Sequence, residues 1–174
     1  MRSTLLSLIL MTSGAFAATD SQCPFHTAGF RVGTDIEDEI SLWSAEVFSE
    51  INSPWNWQLT EKLVLDIEFE AAIGIVDGEG QTAVYGSIGP EAKLSYGDFP
   101  LILAVSSSPA LYSEDSYGKV DIGSNFQFIS RIGVDWNIND TWTVGYRYQH
   151  TSNADLADPN PGLDMHTLAV AYQF

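Results

Sequence analysis

Basic residues are scarce in this sequence: seven Lys and Arg stand against 23 Asp and Glu, giving a formal net charge of −16. The few cations are scattered, so nothing forms the basic stripe that phosphate-backbone binding requires, and a nucleic-acid partner is not expected. Cysteine is scarcer still. Cys23 stands alone, no intrachain disulfide can form, and stability must come from backbone pairing and packing. Asp20, Ser21 and Gln22 precede that cysteine where a lipoprotein would carry an apolar residue, so Cys23 reads as a free thiol. Also missing is any later run of the ~20 consecutive apolar residues that a membrane-crossing helix needs. No helical anchor is expected.

The chain begins with Arg2, an apolar stretch from Leu5 to Met11, and the small-residue run Ala15-Phe16-Ala17-Ala18. Charge, apolar core and small residues in that order are the grammar of a secretory signal peptide, here taken as residues 1–17 with cleavage after Ala17. Residues 18–174 then form one domain, since about 157 residues leave little room for a second. There is no internal repeat and no low-complexity tract.

Hydrophobic alternation is what the sequence has in abundance. Leu63, Leu65, Ile67, Phe69, Ala71, Ile73 and Ile75 occupy the odd positions of one segment, with Asp66, Glu68, Glu70 and Gly74 between them. Phe126, Phe128, Ile132, Val134 and Trp136 oppose Asn125, Gln127, Arg131, Asp135 and Asn137 in another. A period of two means strands. Alternation alone does not separate a soluble sandwich from an inverted membrane barrel. Strand-like segments of about 10 to 15 residues favour the barrel, being long for soluble strands and suited to a tilted bilayer crossing. Trp43, Trp55, Trp57, Tyr96, Trp136, Trp142, Tyr148 and Tyr172 gather near segment ends, as interfacial girdles do.

The expected strands lie near 27–36, 41–51, 63–75, 83–95, 101–111, 123–137, 142–152 and 164–174. Eight is an even number, as single-chain bacterial barrels require, and the fold class is an all-β, eight-stranded antiparallel transmembrane β-barrel. Leu168, Val170, Tyr172 and Phe174 share one face, and an aromatic ending an alternating strand resembles the assembly signal of outer-membrane barrels. So small a barrel is filled by side chains. Its lumen is expected to hold Glu46, Glu50, Asp66, Glu68, Glu70, Glu91 and Asp135 beside Arg31, Lys93, Arg131 and Arg147 as a plugged, hydrogen-bonded core. With both termini periplasmic, Asn137-Ile138-Asn139-Asp140 makes a periplasmic turn and Asn153 to Leu163 the last extracellular loop.

Strand parity also places chemistry. His150 and Ser152 continue the face of Trp142, Val144, Tyr146 and Tyr148, while Asp164 and His166 continue that of Leu168 and Val170. Three polar groups at the end of a lipid-facing wall have a plain reading, that the apolar band stops there. The chemical reading is a site. Residues two apart on a strand are ~6 to 7 Å apart, a gap that His and Ser side chains can close, so that imidazole takes the serine proton during attack on an ester. A carboxylate on the adjoining strand can orient that imidazole. No metal ligands show zinc-like spacing, and no cofactor is expected. His166 reads as a polar interfacial residue.

His150-Thr151-Ser152-Asn153-Ala154 followed by Pro159-Asn160-x-Gly162-x-Asp164 resembles the C-terminal motif of the lipid A 3-O-deacylase (PagL-type) family. That resemblance covers about 15 residues, with the signal peptide, length, barrel pattern and terminal Phe174 in support. It implies an outer-membrane serine esterase with Ser152 as nucleophile, His150 as general base and Asp164 as orienting acid. Asn160, or else Asn153, would assist the oxyanion, although both residues also suit turn-making. The substrate implied is lipid A within lipopolysaccharide, cleaved at its position-3 ester to release a 3-hydroxy fatty acid. The family more often has Glu at the place of Asp164 and Gly at that of Asp155. Two rival readings are a non-enzymatic structural or adhesive barrel and a soluble β-sandwich. Oligomeric state is left open, a homodimer included.

Overall fold

Ten strands grow from these alternating segments in the computed structural model, which describes residues 24–36 and 41–174. The expected signal peptide and Cys23 lie outside the described residues. Strands β1 (Phe25–Asp35), β2 (Leu42–Gln58), β3 (Leu63–Gly78), β4 (Gln81–Tyr96) and β5 (Leu101–Tyr112) come first, then a small hairpin of β6 (Ser116–Tyr117) and β7 (Val120–Asp121). Strands β8 (Phe126–Asn137), β9 (Trp142–Ser152) and β10 (Leu163–Gln173) follow. All but the hairpin close one barrel in the order β1-β10-β9-β8-β5-β4-β3-β2, as expected. Closure is antiparallel, with Phe30 opposite Val170 and Val32 opposite Leu168. A closed sheet has no edge, so the backbone satisfies itself even in lipid.

Strand β2 runs seven residues beyond the expected end at 51, through Gln58. Its pairing with β3 slips between Asn52 and Asn56, and this bulge contains Pro54, which cannot donate to the ladder. Alternation breaks at a bulge although the strand continues. The sixth barrel strand starts at Phe126, three residues later than expected: Gly123 takes left-handed backbone and Ser124 Oγ accepts from the Phe126 backbone N–H, so 123–125 turn into the strand after the β6–β7 hairpin of residues 116–121.

Outward parity holds along the wall. Val47, Ile73, Val84, Ile88, Leu103, Ile132 and Leu168 are all exposed, and so is every one of the eight girdle aromatics. At the end carrying the chain termini, Trp142 packs edge-on against Tyr172 with centroids 5.1 Å apart, and Tyr172 stacks on Phe174. The β8–β9 turn there is held by the Asn139 side chain, whose Oδ1 accepts from the backbone N–H groups of Thr141 and Trp142 at 2.9 Å each.

Inside, charge is paired with charge. Arg131 reaches Glu46 at 2.9 Å and Glu70 at 2.8 Å, while Arg31 bonds the same two carboxylates. Tyr85 donates its hydroxyl to Glu46 at 2.5 Å. Nearer the termini, Lys93 lies 2.7 Å from both Glu50 and Glu68, and Arg147 lies 2.7 Å from Asp135 and 3.3 Å from Glu91. The donor atoms of His26, Glu50 and Glu68 also converge in space, a grouping that spacing along the chain did not suggest. The Lys93 ammonium already supplies a cation to that trio. Above the ionic layers an apolar plug of Leu42, Val76, Tyr112, Tyr117, Ile122, Ile129 and Leu163 closes the other end.

Candidate active site

The end that the apolar plug seals also carries the polar constellation. On the β9–β10 pair, His150 stands directly opposite Asp164, and such cross-strand partners have Cβ atoms about 5 Å apart. Over that span even an aspartate reaches: Nδ1 of His150 lies 2.6 Å from Oδ1 of Asp164. An ionised carboxylate can only accept, so in the neutral imidazole this contact places the proton on Nδ1 and leaves Nε2 as the acceptor. Both side chains are partly exposed on the outer wall. Gly162 leaves room for the ring, since a Cβ there would fall 2.8 Å from His150 Cε1.

Ser152 is the last residue of β9, half-buried, across from Phe128 of β8. It shares the outer face with His150, two residues away. Its hydroxyl makes no side-chain hydrogen bond among the described residues, so the imidazole–carboxylate contact is formed and the serine–imidazole contact is open. Catalytic hydrogen bonds commonly tighten only when substrate binds.

The loop after Ser152 is built around two amides. Asn153 is fully buried, and its Nδ2 donates toward the carbonyls of Ile122 at 3.0 Å, Ala157 at 2.9 Å and Pro159 at 3.2 Å. The Asn160 Oδ1 accepts from the Asn153 backbone N–H at 3.0 Å, and its Nδ2 donates to Asp155 Oδ1 at 2.9 Å. Ala154 and Asp155 both take left-handed backbone, with φ of 54° and 59°. Asp155, at a position where the resembled family favours Gly, is thus in the conformation that Gly adopts most readily.

One row further along the wall, His166 accepts or donates a 2.7 Å hydrogen bond with the Tyr146 hydroxyl and stacks on that ring. It is therefore partnered within the aromatic wall. Sequence reasoning missed the reach of the β7–β8 connection to this loop. Asn153 and Ile122 are 31 positions apart, and no local pattern marks that contact.

A family model described as lipid A 3-O-deacylase (PagL) matches residues 43–173. Lipid A deacylase PagL of Bordetella bronchiseptica is 42% identical over 64 residues, which are 37% of this chain and 36% of that protein. That match spans little more than a third of the relative's length. The crystal structure of the outer membrane enzyme PagL aligns with a TM-score of 0.75 at 22% identity, over 85% of this chain and 99% of the other. At that identity the likeness establishes the fold, a closed antiparallel barrel.

Proposed function

This chain belongs to the lipid A 3-O-deacylase (PagL) family, and from that premise we propose that it is a serine esterase cleaving the position-3 acyl ester of lipid A in the outer membrane. The observation that carries this reading is the 2.6 Å contact of His150 with Asp164 on the outward wall, two residues from Ser152. A site on that wall meets an acyl chain without extracting it from the bilayer.

In the proposed reaction His150 Nε2 removes the Ser152 hydroxyl proton as Oγ attacks the ester carbonyl carbon. Asp164 stabilises the imidazolium that forms. Collapse of the tetrahedral intermediate expels the sugar oxygen, which takes the proton from His150, and leaves the 3-hydroxyacyl group on Ser152. Water, deprotonated by His150, then attacks the acyl-enzyme, and the 3-hydroxy fatty acid departs. For the oxyanion, counting donors favours Asn160 over Asn153. The Asn160 amide spends one N–H on Asp155 and retains the other, whereas Asn153 divides its two among three carbonyls.

Refolded protein incubated with lipid A should release 3-hydroxy fatty acid, and Ser152→Ala should lower the rate by about 10³-fold or more. A Ser152→Ala barrel that hydrolyses at the parental rate overturns the assignment.

A further inference from the structure

The residue after the proposed nucleophile is tied to a loop that contributes nothing to the triad. Asn153 bonds the Ile122 carbonyl at 3.0 Å, and Ile122 is itself 1% exposed, packed in the plug with Tyr117. Tyr117 is wholly buried, and burial, aided by Glu114 and Asp115, pushes its phenol above the usual range, so it stays neutral there. The Ile122 carbonyl is further held by Gln127 Nε2 at 3.2 Å. The anchor is thus fixed to the barrel.

Next to it, Gly123 has φ of +75°, and a Cβ there would lie 2.0 Å from the Pro159 carbonyl oxygen and 3.1 Å from Asn153 Nδ2. The two loops therefore meet backbone to backbone, an approach that any side chain forbids. Ser152 ends the β9 ladder, and on its C-terminal side this clamp, together with the Asn160 Oδ1 contact to the Asn153 N–H, holds the next residue in place. A misplacement of about 1 Å at a reacting group can cost about 10²-fold in rate.

We infer that the β5–β8 connection positions the nucleophile, with Gly123 and Asn153 as the positioning residues that lock the loop after Ser152 onto the plug. The inference rests on Ser152 being the nucleophile. It gives the segment after the β6–β7 hairpin, anchored by buried Tyr117 and Ile122, a role beyond capping the lumen, because the same contacts that seal the barrel fix where the hydroxyl stands.

The test uses refolded full-length protein with Gly123→Ala, Gly123→Val and Asn153→Asp, the last keeping shape while removing the amide donors. Heat-modifiable migration reports folding, fatty-acid release from lipid A reports kcat and KM, and phosphonylation by an alkyl p-nitrophenyl phosphonate reports Ser152 reactivity. Folded variants should lose about 10²-fold in kcat and in phosphonylation rate, with KM within about threefold of the parent. Parental kcat in folded Gly123→Ala and Asn153→Asp overturns the inference, as does a loss confined to KM or to the folded fraction. Should the glycine variants not fold, Asn153→Asp decides. Ser152→Ala separates the two readings: its full activity removes the nucleophile, whereas an inactive Ser152→Ala beside a fully active Gly123→Ala removes only the clamp.

Discussion

Asp164 carries one methylene where the resembled family more often has the two of Glu, and the pairing explains how it still reaches His150. His150 and Asp164 are direct cross-strand partners, so the short carboxylate spans the gap at 2.6 Å without any diagonal reach. Asp164→Asn keeps the shape but presents an amide that can stabilise the wrong tautomer and cannot balance an imidazolium. Fatty-acid release should fall by about 10³-fold or more, as expected for loss of an orienting carboxylate. Asp164→Glu should stay within about tenfold of the parent, measured in the same assay. Equal rates for Asp164→Asn and the parent would show that His150 works without its partner.

At the scale of the strand, parity predicts where charge is tolerated. Leu168 is exposed, yet it sits midway along β10 opposite Tyr146, where the exposure is to hydrocarbon. Leu168→Arg should destabilise the barrel by about 2 to 4 kcal/mol in unfolding from lipid vesicles, whereas arginine near a strand end should cost about 1 or less. Parity was also what made most of the fold legible beforehand. Seven of the expected strands coincide with observed ones to within three residues at each end, and the triad candidates share a face because a period of two fixes side-chain direction. What stayed hidden depends on partners far along the chain. The extension of β2 through Pro54 needs a bulge supported by β3, the β6–β7 hairpin is too short to show a period, and the Asn153 clamp closes on Ile122.

Over the whole molecule the acidic excess divides between lumen and surface. Arg31, Arg131, Lys93 and Arg147 meet Glu46, Glu70, Glu50, Glu68, Glu91 and Asp135 inside, joining strands on opposite sides of the barrel. Arg131 is central, bonding both Glu46 and Glu70 from β8. Arg131→Leu leaves two buried carboxylates with Arg31 as their remaining guanidinium partner and should cost about 3 to 5 kcal/mol, read as a lower urea midpoint for loss of the heat-modifiable form. An unchanged midpoint would mean that the lumen admits enough water to solvate them.

The central claim, that an outward-facing serine centre deacylates lipid A in place, is tested most directly by mass spectrometry of lipid A from Gram-negative cells expressing the full chain. Loss of a single ester-linked 3-hydroxyacyl chain, with amide-linked chains retained and no change under Ser152→Ala, is the predicted result. Unaltered lipid A beside folded, membrane-inserted protein would contradict it.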